Sequence, residues 1–169
     1  MSLPNKLKNL NLFNDGVSYL GQVVEFKLPT LTRKMEEYRA GGMAGPIDID
    51  LGQEKIEAEW KCGGLMRGVL RQYGAVRHNG VQLRFAGAYQ REDTGEVDAV
   101  EVVIRGRHSE IDAGTGKAGE DTEFSVKTSA SYYKLSINGR TEIEIDMVGM
   151  ICTVDGVDLL AAQRRAIGY

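Results

Sequence analysis

Only two cysteines, two histidines and three prolines occur among the 169 residues, and no apolar run is long enough to cross a bilayer. Each shortage excludes something. Cys62 and Cys152 lie far apart and read as buried small hydrophobes, not as a bridge. His78 and His108 have no Cys, His or carboxylate at zinc spacing, so they read as surface or turn residues and no metal site is expected. Charge of one sign is missing too: 21 basic against 24 acidic side chains leave a net charge of -3. A protein that grips nucleic acid needs a concentrated basic surface, so sequence-specific nucleic-acid binding is not expected. The nearest basic cluster, Arg67, Arg71 and Arg77, reads as the solvated side of a helix and its exit. Met1 to Leu12 is polar and Asn-rich, without the apolar centre of a secretory signal, and the chain is expected to be synthesised and to fold in a bacterial cytoplasm.

What the sequence has is glycine, 21 residues of it, punctuating runs that alternate with period two. Strands and turns follow from that pattern, in a single domain spanning 1–169. Ser18 to Leu28 carries Leu20, Val24, Phe26 and Leu28 on one parity. Leu31 to Arg39 is a much more polar strand. Gly41 to Gly45 is too glycine-rich for a regular element and reads as a mobile loop. Ile47, Ile49 and Leu51, then Ile56, Ala58 and Trp60, mark two half-buried strands. Gly64 to Tyr73 switches to helical spacing through Leu65, Met66, Val69, Leu70 and Tyr73, with Gly74 as its stop. Val81 to Tyr89 and Val97 to Arg105 form a hairpin, and Glu110 to Asp121 an exposed loop. In the next hairpin a two-residue Asn138-Gly139 turn would set Leu135 opposite Glu142. A three-residue connection through Arg140 instead sets Leu135 opposite Ile143, Tyr133 opposite Ile145 and Lys134 opposite Glu144, and that register is expected. Val157 to Arg165 predicts a short helix capped by Asp158, with Leu159, Leu160 and Ala162 inward.

Chemistry is sparse. Gly114 to Gly119 satisfies G-x-G-x-x-G, but no apolar strand feeds it and Phe124 to Thr128 alternates as a strand, so a surface loop is expected. Glu142 and Glu144 share a face without anything to desolvate one against the other. No catalytic residue, cofactor site or small-molecule substrate is therefore expected.

The run KMEEYRAGGMAGPIDIDLGQEK, Lys34 to Lys55, resembles the major tail tube proteins of contractile, myovirus-type phages and of the R-type pyocins or tailocins related to them. An opening Leu7 to Phe13 rich in Asn and Leu, and an ending Asp155-Gly156-Val157-Asp158, extend the likeness along the chain. The resemblance implies a mainly β fold, a β-sandwich or partly rolled barrel with a flanking helix and long hairpins, in a structural subunit of a virion tail or tailocin particle. It also implies hexameric rings stacked around a central channel for DNA or ions, with sheath, tape measure, baseplate and terminator proteins as partners. Within that frame, residues 1–13 are expected to form an assembly arm anchored by Leu10, Leu12 and Phe13, unordered until rings stack. The loop 40–46, with Gly41, Gly42, Met43, Ala44, Gly45 and Pro46, is expected to be a flexible contact loop displaying Met43. Glu142, Glu144 and Asp146 are expected to give the channel a mainly negative wall. The strand Leu31 to Arg39 is expected to be paired by a neighbouring subunit. The rival reading is a small-molecule-binding β-barrel, which would need an apolar cavity with a few convergent polar groups.

Overall fold

Alternation of apolar and polar side chains becomes strand wherever one parity can be buried. In the structure, a computed structural model describing Met1 to Tyr169, β1 (Asn5–Asn14) turns through Asp15 and Gly16, both at positive φ, into β2 (Val17–Ser18). Then follow β3 (Val23–Lys27), β4 (Arg33–Tyr38), β5 (Ile47–Gln53) and β6 (Ile56–Cys62). The one-turn helix α1 (Arg67–Leu70) leads into β7 (Val81–Arg91), β8 (Val97–Asp112) and β9 (Phe124–Ile137). The chain closes with β10 (Arg140–Asp146), β11 (Ile151–Val154), β12 (Val157–Asp158) and the helix α2 (Ala161–Ile167).

Ten strands make one antiparallel sheet in the order β12-β11-β10-β9-β8-β7-β1-β2, with β6 also paired to β9 and β3 to β6. The sheet turns a corner because β9 serves two layers. Its first half, Phe124 to Ala130, pairs with β6, and its second half, from Tyr132 onward, pairs with β10. The register with β8 shifts between Arg105 and Gly106, leaving Ser131 as the extra residue. A bulge of this kind bends a strand and raises its twist. Inward parity accordingly changes from Phe124, Val126, Thr128 and Ala130 to Tyr133. The two layers close on a filled core in which Phe26 of β3 stacks on Phe85 of β7, ring centroids 5.2 Å apart. Trp60, Phe85 and Phe124 are fully buried there. The mainly β, partly rolled sandwich expected from the resemblance is what forms, and both cysteines are free and buried.

The Leu135–Ile143, Lys134–Glu144 and Tyr133–Ile145 pairs form as expected. The connection is different, however. Asn138 and Gly139, at φ 51° and 81°, make a two-residue turn, and one extra residue at Glu142 then shifts the register. A two-residue turn plus a one-residue bulge gives the same pairing as a three-residue loop. Asn138 is held from outside the hairpin: its Oδ1 accepts the Ala99 N–H at 2.9 Å and its own N–H donates to the Ala99 carbonyl at 2.9 Å. Asn138→Ala removes the side-chain bond and places alanine in a left-handed conformation. A loss of about 2 kcal/mol is expected in urea unfolding, with no change in slope.

Elsewhere tertiary packing overrides the pattern. Ser18 to Leu28 is broken by a turn at Leu20 to Gln22, and a bulge between Val23 and Glu25 puts Phe26 inside while Leu20 and Val24 stay exposed. The expected helix over Gly64 to Tyr73 is only Arg67–Leu70. After Arg71 its hydrogen bonds tighten to Gln72 N–H on Val69 and Tyr73 N–H on Leu70, and Gly74 ends it at φ 77°. Strand β8 takes Glu110, Ile111 and Asp112 out of the expected loop, and Gly114 to Gly119 form no helix. In α2 no residue is buried; Leu159 and Ala162 face out and only Leu160 packs on the core. Asp158 accepts the Leu160 N–H at 3.1 Å.

Most different is His108, expected at the surface and found in the core. Its Nδ1 lies 3.0 Å from Thr128 Oγ1 and its Nε2 2.8 Å from Gln72 Oε1. Gln72 also holds Asn14, and Trp60 Nε1–H donates to Thr128 at 3.2 Å. A buried polar group survives only if bonded, and this chain of partners ties α1's exit to β1, β6, β8 and β9.

Candidate assembly surfaces

β4 and β5 form a two-stranded sheet of their own, with no backbone pairing to the main sheet. Leu31 to Arg39 therefore yields a strand as expected, but its partner is β5 of the same chain, not a neighbour's strand. Register sets Tyr38 opposite Ile47, Glu36 opposite Ile49, Glu37 opposite Asp48 and Met35 opposite Asp50. Opposed residues share a face, so Tyr38, Ile47 and Ile49 with Glu36 form one side, and Glu37, Asp48 and Asp50 with Met35 form the other. Ile47, Ile49 and Leu51 are not half-buried as expected; Ile47 is 54% and Leu51 51% exposed in the single subunit. A two-stranded ribbon is marginal in water without packing on something. Its amphipathic form implies a surface still to be covered.

The loop 40–46 is the ribbon's tip, and it closes on itself. Met43 N–H donates to the Ala40 carbonyl at 3.2 Å, the Ala40 N–H lies 3.2 Å from Met43 Sδ, and Arg39 Nη2 reaches the Ala44 carbonyl at 3.4 Å. Met43 is consequently half-buried in its own turn and not displayed. Gly42, at φ 85°, supplies the left-handed residue; Gly41, Ala44 and Pro46 are exposed and Gly45 is half-buried.

Residues 1–13 are not a free arm in the subunit. β1 pairs with β7 from Asn5–Arg91 to Asn14–Leu83, with a shift at Lys8. Leu12 is fully buried and can touch no neighbour, and Leu10 packs against the same core. Phe13 turns to the opposite face, where the Arg84 guanidinium covers its ring at 3.9 Å. The parity argument that grouped Leu10, Leu12 and Phe13 misses that two are inward and one outward.

Across β7 to β10, the face away from the core reads in rows: Gln82–Arg105–Tyr132–Asp146, Arg84–Val103–Lys134–Glu144 and Ala86–Glu101–Ser136–Thr141. Glu144 and Asp146 lie on this face, while Glu142 is the bulge residue beside it. The charges are balanced, three acids against Arg84, Arg105 and Lys134, so the face is not mainly negative. Arg84 pairs with Glu101 at 3.3 Å and the Arg105 guanidinium lies 4.5 Å over Tyr132. Burial, then the adjacent Glu144 charge, raises the Tyr132 hydroxyl's pKa. Asp146 is further engaged as a turn cap, accepting the N–H groups of Val148 at 3.1 Å and Gly149 at 2.9 Å.

Helical spacing conceals one more surface. Of the residues grouped as the inner side of the first helix, only Met66 and Val69 are buried; Leu65, Leu70 and Tyr73 are exposed, the last by 72%. Arg67, Arg71 and Arg77 stand among them, solvent-exposed as expected. The usable signal was the arginine at every turn of so short a segment, which leaves too little polar surface for a helix buried along one side.

The sequence profile of the family described as phage tail tube protein FII matches residues 4–168. Over 171 positions the chain is 47% identical to the tail tube protein of Escherichia phage P2, with 99% of each covered. It is 35% identical to the major tail tube protein of Serratia phage KSP20, covering 94% of this chain and 92% of that one. In fold it is similar to the sheath/tube terminator of PVC, an extracellular contractile injection system, with a TM-score of 0.59 over 79% of this chain and 96% of that one at 10% identity. Matched in sequence along nearly its whole length, and folded as an open curled sheet with apolar surfaces left uncovered, the chain belongs to the phage tail tube protein family and is a structural subunit of a contractile tail's tube.

Proposed function

We propose that six copies of this subunit close into a ring, that rings stack into the tube, and that the polar face of β7 to β10 lines the bore. The observation that carries this reading is a sheet with one face packed in a filled core, the other polar across four full strands, and unpaired edges at β2 and β12. Open edges are templates for pairing with another chain, and heterologous contacts that close by rotation make rings. The count of six is the arrangement the family resemblance implies. A bore of balanced charge would neither hold a passing polyanion by multivalent contacts nor repel it strongly. DNA or ions could then pass without catalysis, inside a sheath, around a tape measure, and between a baseplate and a terminator. The rival small-molecule barrel is disfavoured because the interior is filled by Trp60, Phe85, Phe124 and their neighbours.

Electron microscopy of the purified full chain tests the assembly; uniform hollow tubes are expected, and a strictly monomeric species with a saturable small ligand would refute it. The facing of the sheet has its own test. Ser136→Cys in assembled tubes is expected to react with a small maleimide that enters the bore and to be shielded from a bulky polymer-linked one. Cys62 and Cys152 are buried and give little background. Equal labelling by both reagents would place that face outside.

A further inference from the structure

Two uncovered surfaces of this subunit match each other. The β4–β5 ribbon presents Tyr38, Ile47 and Ile49 with the acids Glu36, Glu37 and Asp48; the α1 segment presents Leu65, Leu70 and Tyr73 with Arg67, Arg71 and Arg77. None of those three acids or three arginines takes part in an ion pair within the subunit. Asp50, by contrast, is already held by Arg33 at 2.8 Å. Resting on the reading that the chain assembles with itself, we propose that the ribbon of one subunit docks on the α1 segment of a second copy.

The physical case has three parts. Charge complementarity is specific, since the chain as a whole is close to neutral and these two sites segregate the signs. Arginine and tyrosine are the side chains that gain most at the centre of an interface: Arg pairs bidentately with carboxylates, and Tyr covers area at low entropy cost. The placement suits head-to-tail contact. The ribbon ends at Gln53 just before β6 begins, and α1 follows just after β6 ends, with a seven-residue strand of about 20 Å between. A donor at one end and an acceptor at the other leave a free copy of each on every addition, which is the geometry of continued stacking. The ribbon, marginal alone, gains the packing it lacks.

The test uses the full chain. Arg67→Glu with Arg71→Glu, and separately Glu37→Arg with Asp48→Arg, are each expected to raise the concentration needed for polymerisation by about a hundredfold. All four substitutions in one chain are expected to restore it. Contact is read independently by mixing an Ile49→Cys chain with a Tyr73→Cys chain under oxidation, where a crosslinked heterodimer is expected in the mixture. Reversals that leave tubes forming at the wild-type concentration, or reversals without rescue together with no crosslink, would overturn the docking. Reversals that abolish only the binding of another tail protein to preformed tubes would likewise overturn it. A wild-type chain that stays monomeric at every concentration would instead remove the self-assembly reading on which it rests.

Discussion

Gly106→Ala is expected to abolish the folded subunit. An alanine Cβ there would lie 1.8 Å from the Ser129 carbonyl oxygen, 2.7 Å from its carbon and 2.8 Å from Ala130 Cα. All three are backbone atoms of β9 in register with β8, so no flexible side-chain end can give way. The strands would have to part beside the Ser131 bulge, where the sheet turns from one layer to the other. Overpacking in a well-filled core costs roughly 1–3 kcal/mol when side chains can adjust; backbone collision with loss of ladder bonds exceeds that, and a loss of about 5 kcal/mol or more is expected. For a domain of marginal stability this is most or all of the folding free energy. The check is soluble yield and circular dichroism of the variant, with Gly116→Ala as the control, because a Cβ there meets nothing within 4 Å. A cooperative, near-wild-type melting curve for Gly106→Ala would show that the two strands can separate at this point without cost.

Acid is expected to destabilise the subunit well above the range where carboxylates titrate. Burial pushes the His108 imidazole down to about 4, against a smaller upward pull from Asp15. A histidine whose folded pKa is depressed stays neutral in the fold while the unfolded chain takes up a proton. Stability is thus full above an ordinary pKa of 6.5 and declines as pH falls from there toward 4. The limiting slope is about 1.4 kcal/mol per pH unit, and the total is roughly 3 kcal/mol. Asp50, Asp93 and Asp158 are held below their usual values, by hydrogen bonds from Arg33, from the Leu3 backbone and from Arg164 respectively. Their contributions are lost only at still lower pH, so urea unfolding between pH 6.5 and 5 isolates the histidine. His108→Gln should be less stable at neutral pH and flatter across this interval; the same slope in the variant as in the wild type would assign the acid sensitivity elsewhere.

Much of the sheet was legible because burial of one parity dictates it: Val81 to Tyr89, Val97 to Arg105 and Ile56 to Trp60 alternate without interruption. The pairing of Lys134 with Glu144 could be read from which residues must face inward, whereas the bulge at Glu142 could not, since a longer loop gives the same register. Bulges also explain the failures over Ser18 to Leu28 and at β1, where one extra residue changes the face of everything beyond it. His108 was misread because its environment is assembled from Gln72, Thr128 and Trp60, each distant in sequence. The α1 segment was over-extended since exposed apolar residues at helical spacing look like a core stripe until the arginines among them are weighed. Of the assembly residues, the ribbon as a strand was readable, but Leu12 as a core residue and Met43 as part of its own turn required three dimensions.

β8 and β9 each run unbroken through both layers, 16 and 14 residues long. A load applied along them is therefore met in shear, by many backbone hydrogen bonds sharing the force at once, rather than peeled apart one bond at a time. A tube wall woven from such strands transmits a push from one end to the other with little yielding between its inner and outer layers. The absence of any disulfide is no weakness here, because stiffness comes from the number of bonds strained together and not from any single strong one.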